Sequence, residues 1–145
     1  MMRVMLKPPC PWWGATALCL LAAFAFPASP AQTSMAASLR VNVDGITAAG
    51  GALIVGLYDE ATFPVIPDTP LFKKTIPNAK NGAAVLFGRL PPGAYAVKVL
   101  QDLNNDGNRE PGEPFGISNG GTPNDFETAA IALEPGNNVL TVHVH

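Results

Sequence analysis

Oxygen-bearing side chains recur at close spacing in one acidic segment, residues 102–113. The positions that could supply ligands to a cation are Asp102, Asn104, Asp106, Asn108, Glu110 and Glu113. Calcium takes about six to eight oxygens, so carboxylates and amides at every second residue can converge on one ion where a glycine makes a sharp turn. The segment has every fixed residue of the D-x-[DN]-x-[DN]-G-x5-E calcium loop. The sequence therefore predicts a calcium site, to which Asn108 contributes its backbone carbonyl and Glu110 a water-mediated contact.

The flanks of this segment differ from those of an EF-hand. A strand-like segment precedes it, Arg109 stands where an apolar residue is usual, and Pro111 with Gly112 disfavours a helix after it. We therefore expect the loop to join two strands and to bind calcium weakly, at about 10⁻⁴–10⁻³ M or somewhat tighter. The alternative is that the Asp and Asn residues only form turns, by accepting hydrogen bonds from their own backbone. The sequence leaves both interpretations open.

The segments around the loop alternate apolar and polar residues with a period of two. Leu39, Val41 and Val43 show this alternation, which is typical of a half-buried strand because successive side chains point to opposite faces. Seven strands are predicted, at residues 39–43, 53–58, 71–76, 83–87, 94–100, 126–133 and 139–144. Short strands separated by glycine and proline turns indicate an all-β protein, an antiparallel β-sandwich of about seven strands.

Two segments between these strands are predicted to be irregular. Residues 59–70 contain three prolines, which cannot donate to a sheet, and should form a long loop in which Phe63 closes the end of the sandwich. Residues 114–123 are rich in glycine and should form a loop beside the acidic segment. Lys73 and Lys74 suit a strand at the edge of a sheet.

The beginning of the chain has the composition of a secretory signal peptide. Arg3 and Lys7 form a basic start, residues 12–26 are uncharged and mostly apolar, and small residues precede the expected cleavage after Ala31. The apolar run is shorter than the roughly 20 residues that span a bilayer. The predicted organisation is a signal peptide at residues 1–31, a short linker at 32–37 and the β-sandwich domain at 38–145.

Removal of the signal peptide changes the composition of the chain. The formal net charge goes from −2 to −4, because Arg3 and Lys7 are lost while all 11 acidic residues remain. Cys10 and Cys19 are lost as well, so neither a disulfide nor thiol chemistry is expected of the domain. A mildly acidic domain has no electrostatic footprint for nucleic acid. We expect a periplasmic or extracellular protein that binds neither nucleic acid nor, after cleavage, the membrane.

Four segments follow one another in a specific order. They are residues 91–97 (PPGAYAV), 102–107 (DLNNDG), 115–119 (FGISN) and 126–130 (FETAA). This combination, within residues 38–145, resembles the domain-of-unknown-function 2141 (DUF2141) family of secreted bacterial proteins. The resemblance implies a transthyretin-like or carboxypeptidase-regulatory-like sandwich and no activity. The chain departs from the family pattern at Gln101, where histidine is frequent, and lacks an insert before the G-x-S-N element.

Two further groups of residues could indicate catalysis or a transition-metal site. Residues 116–120 (GISNG) match the G-x-S-x-G nucleophile motif, and Asp125 and His143 follow in the order of a hydrolase. That motif needs a helix after the serine, which a glycine-rich loop does not provide, so a serine hydrolase using Ser118 is a remote alternative. His143 and His145 share one face of the last strand, but a frayed, solvent-facing end is expected there rather than a metal site.

These observations favour a non-enzymatic module over an enzyme. We expect a secreted or periplasmic β-sandwich domain that binds an unknown extracellular or envelope partner or glycan, with calcium stabilising its acidic loop. A carbohydrate-binding module is the alternative, but Trp12 and Trp13 both lie in the predicted signal peptide and leave the domain without a tryptophan for sugar stacking. No catalytic residue is predicted, and calcium is the one cofactor considered.

Overall fold

Two β-sheets packed face to face make up the described part of the chain, residues 35–63 and 69–145 of a computed structural model. The predicted signal peptide lies outside the described residues, as do residues 32–34 of the linker and 64–68 of the proline-rich loop. The strands are β1 (Ala37–Asp44), β2 (Ala52–Tyr58), β3 (Phe72–Pro77), β4 (Ala83–Leu90), β5 (Gly93–Asp102), β6 (Phe115–Ile117), β7 (Ile131–Leu133) and β8 (Gly136–His143). A 3-10 turn (Ser118–Gly120) follows β6, and a one-turn helix, α1 (Phe126–Ala129), precedes β7.

The strands are divided between a three-stranded and a five-stranded sheet. The first has the order β4-β1-β8, and the second has the order β3-β2-β5-β6, with β7 also paired to β5. β1 and β8 run parallel, with Val41 opposite Leu140, whereas the other recorded pairs are antiparallel. The predicted all-β sandwich is confirmed. Lys73 and Lys74 lie on β3, at the edge of the second sheet, as predicted.

The main core lies between the sheets and consists of alternate residues of the strands. The core includes Leu39, Val41 and Val43 of β1, which the period-two pattern predicted, and Tyr95, Val97 and Val99 of β5. Burial of such side chains supplies the dominant favourable free energy of folding, since it removes apolar surface from water. The alternation in the sequence therefore identified the face of β1 that points into the sandwich.

A second apolar cluster covers the opposite face of β5, where Ala96 is fully buried. Phe63, from the proline-rich loop, packs there with its ring centroid 5.9 Å from that of Tyr58 and 5.8 Å from that of Phe126, edge to face in both cases. Lys98 Nζ lies 4.4 Å from the Phe63 ring centroid and donates to Phe63 O at 2.8 Å. Phe63 thus covers the face of a sheet rather than the end of the sandwich. As a result β5 is buried on both faces.

Residues 126–133 do not form the single strand that was predicted. Their first half is helix α1, and only Ile131–Leu133 is extended. The helix begins there because the Asp125 carboxylate accepts a hydrogen bond from Glu127 N at 3.1 Å, which is a helix N-cap. The prediction was wrong because this local cap outweighs the apolar composition. Among residues 35–63 and 69–145, no helix has the length and apolar character needed to cross a bilayer.

Part of the glycine-rich segment that was predicted as a loop is strand β6. Gly116 lies opposite Val99 of β5. A Cβ at position 116 would stand 2.3 Å from the carbonyl oxygen of His143, so glycine is required where β6 approaches the end of β8. Three residues are too few to show an alternation, and for this reason the period-two pattern missed the strand.

Gln101 ties the connection between β1 and β2 to the end of β5. Its side chain is 1% exposed. Oε1 accepts hydrogen bonds from Thr47 N at 2.8 Å and Thr47 Oγ1 at 3.2 Å. Nε2 donates to Thr47 O at 3.1 Å and to Gly50 O at 2.7 Å. All four hydrogen-bonding positions of the amide are used, so the residue that departs from the family pattern is a structural tie in this chain.

Replacing Gln101 by leucine should destabilise the protein. Leucine is similar in size but cannot make the four hydrogen bonds to Thr47 and Gly50, and one such bond contributes about 0.5–1.5 kcal/mol. Urea denaturation of the Gln101→Leu variant measures the loss as a lower midpoint with an unchanged slope. A midpoint equal to that of the parent protein would contradict a stabilising role of the Gln101 side chain.

Candidate functional site

The acidic loop leaves the end of β5 and returns to β6 from a fixed base. Gln101 N donates to Pro114 O at 2.8 Å and closes the neck of the loop. Gly51, at a φ of +84°, lies so close to β5 that a Cβ there would stand 2.2 Å from Asp102 O. The loop joins two strands, as the sequence predicted, and its first ligand candidate is held in place by the sheet.

Asp102 is the buried anchor of the loop, with 2% of its surface exposed. Its Oδ1 accepts a hydrogen bond from Asp106 N at 3.2 Å, and its Oδ2 accepts one from Gly107 N at 2.7 Å. Gly107 has a φ of +82°, a conformation that favours glycine. A buried carboxylate needs such donors to offset its desolvation, and these contacts fold the chain back over Asp102.

Three of the predicted ligands converge on the exposed side of the loop. Asn104 Nδ2 donates to Asp106 Oδ2 and to Glu110 Oε2, both at 3.1 Å. The amide therefore lies between two carboxylates. Asn108 is next to this group, because its backbone N donates to Asp106 Oδ1 at 2.7 Å. The structure thus brings Asn104, Asp106, Asn108 and Glu110 together above the buried Asp102.

Glu113, the sixth predicted ligand, spans the base of the loop. Its Oε1 accepts a hydrogen bond from Leu103 N at 2.8 Å, and its Oε2 accepts one from Glu110 N at 3.0 Å. In the described part of the chain, no three Asp, Glu, His or Cys side chains are grouped as the ligands of a metal ion. The contacts of the loop to its own backbone are those of the turn interpretation, and the calcium site stays a prediction.

The carboxylates of the loop differ in their tendency to ionise. The negative charge of Asp106 is the main cause that raises the pKa of Glu110, and desolvation and the charges of Glu113 and Asp102 act in the same direction. The pKa of Asp106 is lowered, chiefly because its carboxylate accepts the hydrogen bond from Asn108 N. Asp106 therefore ionises more readily than Glu110, and the repulsion between the two carboxylates disfavours the ionised form of Glu110.

Glu110→Gln should stabilise the protein at neutral pH in the absence of calcium. The substitution removes the repulsion from Asp106 but keeps an oxygen that accepts from Asn104. Folding raises the pKa of Glu110, so ionised Glu110 lowers the free energy of unfolding at pH values above that pKa. At acid pH the group is protonated in both the folded and the unfolded state, and this destabilisation disappears. Thermal melts of both proteins across this pH range measure the difference. A less stable variant at neutral pH would argue against the repulsion.

Ser118 fills a gap along one edge of β5. β7 pairs with residues 93–95 and β6 with residues 98–100, and neither of them pairs with the two residues between. There Val97 N donates to Ser118 Oγ at 3.0 Å, while the Ser118 hydroxyl donates to Ala129 O. The hydroxyl is fully buried and joins β5 to the end of helix α1.

The residues of the remote hydrolase alternative have separate structural roles. The proton of Ser118 is donated to a backbone carbonyl rather than to an imidazole. The Asp125 carboxylate caps helix α1, and His143 is exposed on β8. A nucleophile needs a base within hydrogen-bond reach of its hydroxyl, and this geometry does not bring the three side chains into a triad.

Ser118→Ala should lower the stability of the fold. Alanine leaves Val97 N and Ala129 O buried without a partner, at a cost of about 1–3 kcal/mol. Ser38→Ala is the matched control, because the Ser38 hydroxyl lies at the surface and donates to Asn137 Oδ1 at 2.8 Å. The control should change the free energy of unfolding by no more than about 0.5 kcal/mol. Equal losses in denaturation of the two variants would contradict the role of Ser118.

The two histidines lie at an ordered end of the sandwich. Their side chains are exposed, as expected, and flank the buried Val144. The backbone is not frayed, however, because His145 N donates to Phe115 O at 3.3 Å and Phe115 N donates to His145 O at 3.2 Å. The expectation of a frayed end was wrong, since it could not anticipate a pairing between β6 and the end of β8.

Three residues of this region have roles that the sequence did not reveal. Gln101 and Ser118 are buried hydrogen-bonding ties, and the guanidinium carbon of Arg109 lies 4.0 Å from the centroid of the Phe115 ring. In the sequence, Arg109 stands out only as a departure from the calcium-loop pattern. No spacing rule connects these residues to their partners, because the partners lie on other elements.

Residues 41–141 match the protein family described as "Uncharacterized protein conserved in bacteria (DUF2141)". The chain belongs to the DUF2141 family. The match extends from β1 to β8, so the acidic loop, Ser118 and the second apolar cluster all lie within the family domain. The resemblance seen in the sequence is confirmed.

The solved structures that are similar to this DUF2141 protein differ greatly from it in sequence. Two structures of the pilus-presented adhesin Cpa align with 13% and 14% identity and TM-scores of 0.35 and 0.33. They cover 78% and 76% of this chain, which spans 27% of the adhesin chain in both cases. No curated protein matches the sequence.

Proposed function

We propose that this DUF2141 protein is a non-enzymatic binding or structural module of the periplasm or the cell exterior. The signal-like composition of residues 1–31 supports the location. The structural use of Ser118 supports the lack of a hydrolase activity, because its hydroxyl serves the backbone. The partner is an extracellular or envelope component, either a protein or a glycan.

The module binds calcium in its acidic loop. The observation that carries this proposal is the convergence of Asn104, Asp106 and Glu110, in which Asp106 raises the pKa of Glu110 by charge repulsion. A cation placed between these carboxylates replaces repulsion by attraction. All the side chains concerned offer oxygen, and calcium prefers oxygen ligands. Asp102 retains a free lone pair on each carboxylate oxygen and faces the same turn.

Calcium binding needs a rearrangement of the exposed half of the loop. Asn104 now directs its Nδ2 donors at Asp106 and Glu110, and rotation of the amide by half a turn would present Oδ1 to an ion instead. Glu113 would exchange its contact with Leu103 N for the ion. Asp102 holds the turn of the loop through its bonds from Asp106 N and Gly107 N, so the rearrangement involves side chains and gives up the bond from Asp106 N to Asn104 Oδ1. This cost is consistent with a weak site, at about 10⁻⁴–10⁻³ M.

Calcium should stabilise the protein in thermal melts. At 100 times the Kd, the expected gain is about 2.7 kcal/mol. The Asp106→Ala variant should lose most of this gain, because Asp106 is the central carboxylate of the cluster. The quantity compared is the shift on adding calcium, since the variant also loses the hydrogen bond to Asn108 N and should melt earlier without calcium.

Glu134→Ala is the control for this measurement. It removes one exposed carboxylate from the turn between β7 and β8 and should leave the calcium shift unchanged. If calcium at up to about 10⁻² M, ten times the weakest expected Kd, does not move the melting midpoint of the parent protein, the loop is a turn and not a calcium site. An equal calcium shift in the parent and in Asp106→Ala would place any binding elsewhere.

A further inference from the structure

A surface cavity of about 520 Å³ lies where β6 and the turn after it approach the end of β8. Its polar lining includes Arg109, Asn119, Thr141, His143 and His145. Phe115, Leu140 and Pro123 supply apolar contact area. The cavity and the predicted calcium ligands share no residue.

The close packing of the backbone creates this cavity. Gly116 lets β6 approach β8 at a distance that a Cβ would not allow, since the Cβ would stand 2.3 Å from His143 O. Gly121 in the same way lies against Ala129, where a Cβ would stand 2.7 Å from its backbone N. Asn119 has a φ of +55° and is held by the bond from its Nδ2 to Ala130 O at 2.6 Å. Closely packed backbone at Gly116, Asn119 and Gly121 thus forms part of the wall of the cavity, and side chains form the rest.

The side chains that line this cavity differ in charge from those of the neighbouring loop. None of the residues that line it is acidic, although four of the 11 acidic residues of the chain lie in the adjoining loop. Arg109 contributes a full positive charge and five N–H donors, and each imidazole contributes at least one donor. The Phe115 ring centroid lies 4.0 Å from the guanidinium carbon, and both residues line the cavity.

We propose that this cavity binds the carboxylate group of a small organic acid. A guanidinium is planar and matches the two oxygens of a carboxylate with two parallel hydrogen bonds. His143 and His145 lie on the same face of the chain end and supply further donors to the anion. The apolar surface of Leu140 and Pro123 favours an anion with a carbon skeleton over inorganic phosphate. The ligand class is therefore a carboxylate attached to an apolar or ring-shaped body.

Nuclear magnetic resonance titration of the ¹⁵N-labelled protein with benzoate and with glucuronate tests this assignment. The buffer is freed of calcium with a chelating resin, because soluble chelators are themselves carboxylates. At least one of the two acids should shift the amide signals of Gly116, Asn119 and Gly120 in a saturable way at millimolar concentration. Arg109→Gln should weaken binding by about tenfold or more, since it removes a charge-assisted pair of hydrogen bonds. His143→Gln should weaken it by a smaller factor.

Arg89→Gln is the matched control and should bind as the parent does. Arg89 precedes Leu90, which pairs with Ala37 at the opposite end of β1 from Asp44, the partner of His143. Absence of saturable shifts with either acid would overturn the carboxylate site, as would equal affinity of Arg109→Gln and the parent. Equal binding of neutral benzamide, or tighter binding of phosphate, would overturn the ligand class. Since no calcium is present, a negative calcium experiment leaves this result unaffected.

Discussion

The rest of the structure depends on the hydrogen bond from Val97 N to Ser118 Oγ, which joins strand β5 to the turn after β6. β5 is buried on both faces, and along one edge it is paired by two short strands, β6 and β7, that leave a gap between them. A backbone N–H in such a gap has no access to water and needs a partner from the protein. Ser118 supplies it and passes its own proton to Ala129 O. One hydroxyl thereby connects the central strand, the turn after β6 and helix α1.

The acidic loop starts from this central strand, and its Arg109 also lines the cavity that lies between β6 and the end of β8. β5 ends in Gln101 and Asp102, which are buried and held by hydrogen bonds to backbone groups, so the loop leaves the sheet in a defined direction. Beyond Asp102 the side chains divide by charge. Asp106 and Glu110 lie on one side of the loop, whereas Arg109 turns to the Phe115 ring at the edge of the cavity. The domain thus presents an anionic and a cationic surface next to each other, on one short connection.

Membership in the DUF2141 family identifies the kind of domain, and the contacts described above show which interactions hold this domain together. A fold by itself does not specify a function, because function depends on sites placed on the fold. In this chain the G-x-S-x-G segment is part of the fold, since its serine is buried among backbone partners. The acidic loop and the cavity are the surfaces on which the two proposed sites lie.

The sequence by itself determined most of the strands, the core face of β1 and the residues of the acidic loop. Alternation in Leu39, Val41 and Val43, turn residues and ligand spacing are local properties, and they follow from the geometry of a strand and of a tight turn. For residues 126–129 the apolar pattern predicted a strand, but the N-cap formed by Asp125 favours a helix there. Only the tertiary structure decided the roles of Gln101, Ser118 and Arg109. The partners of these side chains are backbone groups and a ring on distant elements, and their positions exist only after the two sheets have packed.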